Sequence, residues 1–112
     1  MRRAAAVDAN QEQIVAALRA RGHMVLSLAP LGNGAPDVLV GCRRIVAKFG
    51  VMQRQSAAYV LVALEIKTAR NKRGDLEALT PAEQEFHRRW APWPVYVVGS
   101  VSGAIRVVEG GA

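Results

Sequence analysis

The stretch YVLVALEIK, Tyr59 to Lys67, has the composition of a buried β-strand, because β-branched and aliphatic residues fill it and a polar segment follows it. Successive side chains of a strand point to opposite faces, so one face of this strand is wholly aliphatic. That face carries Val60, Val62, Leu64 and Ile66. The other face carries Tyr59, Leu61 and Ala63, and it ends with Glu65 and Lys67 side by side.

A second apolar strand begins with an acid. In GNGAPDVLVG, Gly32 to Gly41, glycines and a proline form a tight loop that brings Asp37 into the strand. Glu65 and Lys67 alone could be an ordinary ion pair at a sheet edge, but Asp37 adds a second carboxylate. Two carboxylates hold a hard divalent cation, and a neighbouring lysine can orient or help deprotonate a water molecule. The order PD, then ExK, resembles the PD-(D/E)XK nuclease superfamily.

Length and composition limit the class of protein. The 112 residues suffice for one small domain, residues 1–112, and 51% hydrophobic with 21% charged residues is typical of a globular chain. The apolar runs are too short and too often charged to span a membrane, and the N-terminal apolar stretch ends at Asp8, too early for a signal peptide. We expect a cytoplasmic protein in which Cys42, the only cysteine, is a packed residue.

The charge indicates a polyanionic partner, since the formal net charge is +6. Between Gly41 and Gly74 the only acid is Glu65, and the basic residues are Arg43, Arg44, Lys48, Arg54, Lys67, Arg70, Lys72 and Arg73. A solvated positive face around a structural salt bridge is the alternative, but surfaces that serve solubility alone mix the two signs. The distribution favours a surface for nucleic acid.

Hydrophobic periodicity predicts a helix over residues 8–21 that ends at Gly22. Its apolar stripe consists of Val7, Ile14 and Leu18. Gln11 falls within that stripe and Glu12 lies at its edge, and a polar side chain on a buried face needs a partner.

Three extended segments are predicted before the strand that carries Glu65. His23 to Pro30 is predicted to be a strand, and the strand after Asp37 is predicted to turn back through Gly41–Arg43 into a returning arm, Arg44 to Phe49. Residues 50–58 are predicted to be an exposed loop, and the role of the basic region 42–58 is left open.

The C-terminal third carries a strong helix signal. Thr80, Pro81 and Glu83 have the spacing of an N-cap, a first-turn proline and a capping box. The predicted buried stripe is Ala82, Phe86 and Trp90, with Gln84 and Arg88 on the opposite face.

The chain then turns into a predicted strand, Val95 to Val98. Trp90 and Trp93 flank this turn; packing is their expected role, and stacking of Trp93 on a base is the alternative. Ser100 is predicted to cap a final helix through Val108, with a last strand as the alternative.

The order of these elements predicts an α/β fold, and the motifs permit a narrower comparison. PDVLVG, LEIKT, a basic glycine-containing loop, LTPAEQEFHRRW and VYVVGSVSGAI resemble the small stand-alone VRR-NUC family over residues 8–108. The resemblance implies a restriction-endonuclease-like sandwich, in which a central mixed sheet is flanked by helices around an αβββαβ core.

The resemblance also implies hydrolysis of DNA phosphodiesters with Mg²⁺ or Mn²⁺. Asp37 and Glu65 would bind the metal, and the carbonyl of Ile66 would be a further ligand. Glu12, which with Leu18 and Gly22 fits the spacing E-x5-L-x3-G, would hold a metal-bound water. The adjacent Gln11 leaves this helical position uncertain by one residue.

Lys67 would position the attacking water, and Gln84 matches a family glutamine expected near the metal or the scissile strand. Candidate DNA contacts are Arg43, Arg44, Arg70, Lys72, Arg73 and Arg88. No recognition helix is apparent, so we expect selectivity for branched DNA over sequence, and a homodimer through Val51–Val60 or Val101–Val108. A nuclease-fold binder without catalysis and a basic module for RNA or protein are the alternatives.

Overall fold

β3 (Arg54–Ile66) is the central strand of a four-stranded sheet in the order β1-β2-β3-β4. It pairs antiparallel with β2 and parallel with β4, and β2 pairs antiparallel with β1. The computed structural model describes residues 9–110, apart from the side chain of Val46. The remaining elements are α1 (Ala9–Ala20), β1 (Met24–Ser27), a 3₁₀ turn (Ala29–Leu31), β2 (Val38–Phe49), α2 (Pro81–Trp90), β4 (Val95–Val98) and α3 (Val101–Glu109). The predicted α/β class and mixed sheet are confirmed.

The hydrophobic core lies on one face of the sheet, beneath α1 and α3. Its buried members are Ile14, Leu18, Val38, Val40, Cys42, Val62, Leu64, Ile66, Val98, Ala104 and Val108. The alternation predicted for β3 is therefore confirmed, and so is the packing of Cys42. Val7, the third residue of the predicted α1 stripe, lies outside the described residues.

The final element is a helix, so the strand alternative is wrong. Ser100 caps α3 by accepting a hydrogen bond from the amide of Gly103, and α3 ends at Gly110 in the left-handed conformation. Because Ala104 and Val108 are packed in the core, the apolar side of α3 is not free for the dimer interface proposed at Val101–Val108.

The opposite face of the sheet is open over much of its area. We call this the open face; its exposed apolar residues are Met24, Leu26, Tyr59 and Leu61, with 76%, 61%, 83% and 73% of their surface accessible. α2, in the crossover between β3 and β4, lies near the strand ends. There a Cβ atom added to Gly34, which has a φ of +79°, would lie 2.2 Å from the Ala82 carbonyl oxygen.

The predicted turn at Gly41–Arg43 is wrong, and residues 54–58 of the predicted loop are strand, whereas the predicted extended conformation of Arg44 to Phe49 is confirmed. β2 continues through Gly41–Arg43 to Phe49, and the chain reverses only at Gly50–Gln53, where Gly50 and Gln53 both have positive φ. β2 and β3 thus form one long hairpin, with an irregularity between Ile45 and Ala47.

Two further expectations differ from the structure. β1 ends at Ser27, before the 3₁₀ turn, so the strand is shorter than His23–Pro30. The stripe of α2 is not buried, because Phe86 is half-buried and Ala82 and Trp90 are exposed. Within residues 9–110, no helix has the length and apolar character that crossing a membrane requires.

Candidate active site

The β2–β3 pairing brings the two predicted carboxylates together. Asp37 immediately precedes β2; its amide donates to the carbonyl of Leu64 at 3.0 Å, and its Oδ2 accepts from the amide of Ile66 at 2.7 Å. Asp37 therefore bonds the backbone on either side of Glu65, with its amide on one side and its carboxylate on the other. These hydrogen bonds to Leu64 and Ile66 fix Asp37 beside Glu65 before any ligand binds.

Glu65 is buried although it lies on the open face of the sheet. Only 2% of its surface is accessible, and its Oε1 finds no hydrogen-bond partner within residues 9–110. Burial raises the pKa of Glu65 to about 9, with further contributions from the hydrogen bond and charge of Asp37 and from the charge of Glu83, against the opposing effect of Lys67. A buried carboxylate oxygen without a donor is costly unless a cation or a proton satisfies it.

Lys67 is ion-paired with Glu83, a residue that the sequence predicts only as part of a helix cap. Its Nζ lies 2.8 Å from Oε1 of Glu83, which also accepts from the amide of Thr80 at 2.8 Å in the predicted capping box. Burial is the largest single effect on both groups and disfavours their charges, but their mutual hydrogen bond and the surrounding charges and hydrogen bonds together outweigh it. The pKa of Lys67 is therefore raised and that of Glu83 is lowered. Glu83 thus couples α2 to the end of β3.

Asn10 is a second residue that the sequence did not single out. Its Nδ2 donates to the carbonyls of Lys67, at 3.1 Å, and Gly99, at 3.3 Å, and so ties α1 to the ends of β3 and β4. The available signal was its position one turn before Ile14 on the buried side of the helix.

Gln84 and Glu12, which were also predicted for the site, are both exposed. Gln84 is exposed, and its Nε2 donates to the carbonyl of Leu79 at 3.0 Å, within the N-terminal turn of α2. Glu12 is exposed on α1 and lines a cavity of about 420 Å³ that also contacts Val38, next to Asp37. Their roles at the site stay predictions.

The candidate DNA contacts divide into paired and unpaired groups. Arg44 donates to the carbonyls of Val107 and Val108 at the end of α3, whereas Arg43 is exposed on the strand face shared with Tyr59. In the loop after β3, Arg73 contacts Asp75 at 3.1 Å. The remaining candidates are Arg88, which pairs with Glu85, and the exposed Arg70 and Lys72.

The donor set agrees with a site for a hard divalent cation. Asp37 and Glu65 supply carboxylate oxygens at one point, and Glu65 Oε1 is the partnerless atom that a cation would satisfy. Among the described residues, no group of three or more His, Cys, Asp or Glu side chains is placed to hold a metal ion, so backbone and water oxygens would have to complete the shell.

No family model, curated protein or solved structure matches the chain. The family resemblance therefore rests on the sequence motifs, and the functional argument rests on the site.

Proposed function

We propose that the protein is a metal-dependent DNA endonuclease of the VRR-NUC type, with a restriction-endonuclease-like fold. The observation that carries this proposal is Glu65: a buried carboxylate beside Asp37, with one oxygen lacking a partner. A protein that only binds DNA gains nothing from such a costly arrangement, whereas a cation site requires it.

Asp37 and Glu65 would hold Mg²⁺ or Mn²⁺, with the Ile66 carbonyl as a further ligand. When bound, such an ion neutralises phosphate charge and makes a water molecule more acidic. Asp37 is already oriented by the Ile66 amide, so the two carboxyl groups are prearranged, and Glu65 would exchange its proton for a bound cation.

Lys67 supplies a fixed positive charge at the same place. Because its ammonium is ion-paired with Glu83, it acts as a hydrogen-bond donor that orients the attacking water and stabilises charge developing on the phosphate. Glu83 is a positioning residue in this scheme, and α2 is the element that holds it.

The DNA surface in this proposal consists of Arg43, Arg70 and Lys72, which are exposed and form no salt bridge within residues 9–110. Contacts from such side chains to phosphates carry no sequence information. We propose a preference for branched DNA, and a homodimer that presents two sites to it.

The test is nicking of supercoiled plasmid in Mg²⁺, with EDTA as the negative control. Cleavage should be abolished by Asp37→Ala, Glu65→Ala and Lys67→Ala, and metal affinity should fall only in the first two. A gel shift without cleavage would identify a nuclease-fold binder, and near-normal cleavage by Glu65→Ala would remove the site assignment.

A further inference from the structure

Two exposed tryptophans and the half-buried Phe86 form one group, here called the aromatic shelf: Phe86, Trp90 and Trp93. The rings of Phe86 and Trp90 stack with centroids 5.6 Å apart, and Trp93 meets Trp90 edge-on at 6.5 Å. Trp90 and Trp93 nevertheless expose 51% and 68% of their surfaces. The indoles pack on each other and leave ring surface facing solvent.

The aromatic shelf forms one wall of a cavity of about 710 Å³. The opposite wall is the loop that leads into β2, including Leu31, Asn33 and Ala35. A volume of this size accommodates a flat organic group, since ligand pockets are typically about 300–1,000 Å³.

The cavity adjoins the candidate active site through both of its walls. Ala35 lies just before Asp37 on the loop, and Ala82 of the cavity lining precedes Glu83, which holds Lys67. The walls meet where Gly34 approaches the Ala82 carbonyl. The candidate site and the cavity therefore share the segment before Asp37 and the first turn of α2.

The charge of the lining suits a nucleotide. Arg89 lines the cavity and forms no salt bridge among residues 9–110, although its charge acts on Glu85, the acid of the lining, which is paired with Arg88. Aromatic faces stack on any base, and a nearby arginine adds attraction for the phosphate. Bases inside a duplex are already stacked on their neighbours, so only an unpaired base is free to enter.

We propose that the aromatic shelf stacks an unpaired nucleobase of the DNA strand held at the candidate active site. The substrate class is then DNA with a single-stranded segment beside the cut, such as a flap or a splayed end. This inference rests on the proposed nuclease function and narrows its substrate.

The test uses intrinsic fluorescence, because Trp90 and Trp93 are the only tryptophans of the chain. The wild-type protein in EDTA is titrated with a flap DNA, with the same flap lacking all bases in its unpaired segment, and with a blunt duplex. The intact flap should quench the emission and bind about five- to 100-fold more tightly than the abasic flap, the range expected for base–aromatic stacking.

Trp93→Leu keeps an apolar side chain and should bind the intact flap only as tightly as the abasic one. The abasic flap should bind both proteins equally, and Trp93→Phe should recover much of the loss. Equal binding of intact and abasic flaps by the wild type would overturn the inference without the use of any variant. An emission change that depends on protein concentration alone would also overturn the inference, because a second copy of the chain would then occupy the aromatic shelf.

The inference and the proposed function can fail separately. Plasmid nicking without discrimination between intact and abasic flaps would overturn the stacking and leave the nuclease standing. Base-dependent quenching without any Mg²⁺-dependent cleavage would support the stacking and identify a binder of single-stranded segments.

Discussion

At Glu65, the stability of the fold conflicts with the proposed binding of a cation. In the metal-free protein, burial and neighbouring acids favour its protonated form, and its pKa lies near 9. A site built to hold a cation must keep an anion where only a cation or a proton satisfies it. The same environment that would bind the metal therefore destabilises the metal-free fold at alkaline pH.

We predict that the stability of the metal-free protein falls as pH rises. The folded state holds a proton on Glu65 that the unfolded chain loses near pH 4.5, so the contribution is complete below that pH and is lost as pH rises toward about 9. Melting temperatures in EDTA between pH 5 and 9 should show this decline. Glu65→Gln should flatten it, whereas Glu85→Gln, at an exposed helical site, should keep the wild-type slope.

The second prediction compares substitutions of two neighbouring residues of α2, Glu83 and Gln84. Glu83→Gln keeps an N3 acceptor for the helix cap and removes only the ion pair with Lys67. We expect kcat to fall by about ten- to 100-fold with KM and metal affinity unchanged, because Lys67 is then free to leave its position. Gln84→Ala should have the smaller effect in the same steady-state assay; the reverse order would assign the site to Gln84.

The sequence was sufficient for Asp37, Glu65 and Lys67, because alternation along β3 and the apolar strand after Asp37 fix their placement. It was not sufficient for Glu83, since a capping box already explained that residue. A helix cap uses a glutamate oxygen locally, and only the tertiary position of α2 shows that the same oxygen also meets Lys67.

At the scale of elements, the long hairpin shows why the loop prediction failed. Gly41, Arg43 and Arg44 resemble a turn, but Gly41 pairs with Leu61 and with Met24, inside the sheet. The strands continue past the core, where most side chains are exposed and backbone pairing orders the two strands. Composition indicates a loop in such a region, although the backbone hydrogen bonds make a strand.

The third prediction concerns Arg43 and Arg44, which are adjacent in β2 but lie on opposite faces of the hairpin. Arg43→Ala should weaken binding to all DNA sequences and reduce the slope of log K against log salt by about 0.9, because one phosphate contact is lost. Arg44→Ala should leave this slope unchanged and lower stability by about 1 to 3 kcal/mol, because its guanidinium bonds the last carbonyls of α3. Equilibrium binding at several salt concentrations and chemical denaturation separate the two effects.

At the scale of the whole molecule, the open face lacks a cover. α1 and α3 bury one side of the sheet, while Met24, Leu26 and Leu61 stand together on the other. Tyr59 and the proposed DNA contact Arg43 lie opposite each other on the hairpin side of this group, outside the proposed interface. An apolar sheet face of this kind usually marks an interface. A second copy is the occupant that would also bring two candidate sites together, as paired cuts on a branched DNA require.

We therefore predict a homodimer through the open face, and the hairpin tip provides the control. A stable interface of standard size buries about 800 Å² on each partner, so a charge at its centre should disrupt it. Leu61→Arg should give a monomer by light scattering at micromolar concentration, because the guanidinium would be buried against apolar side chains. Met52→Arg, at the exposed turn, should leave the dimer intact.

Dissociation by Met52→Arg alone would move the interface to the hairpin tip. A wild-type monomer that nicks linear duplex as well as a four-way junction would contradict the paired-cut model.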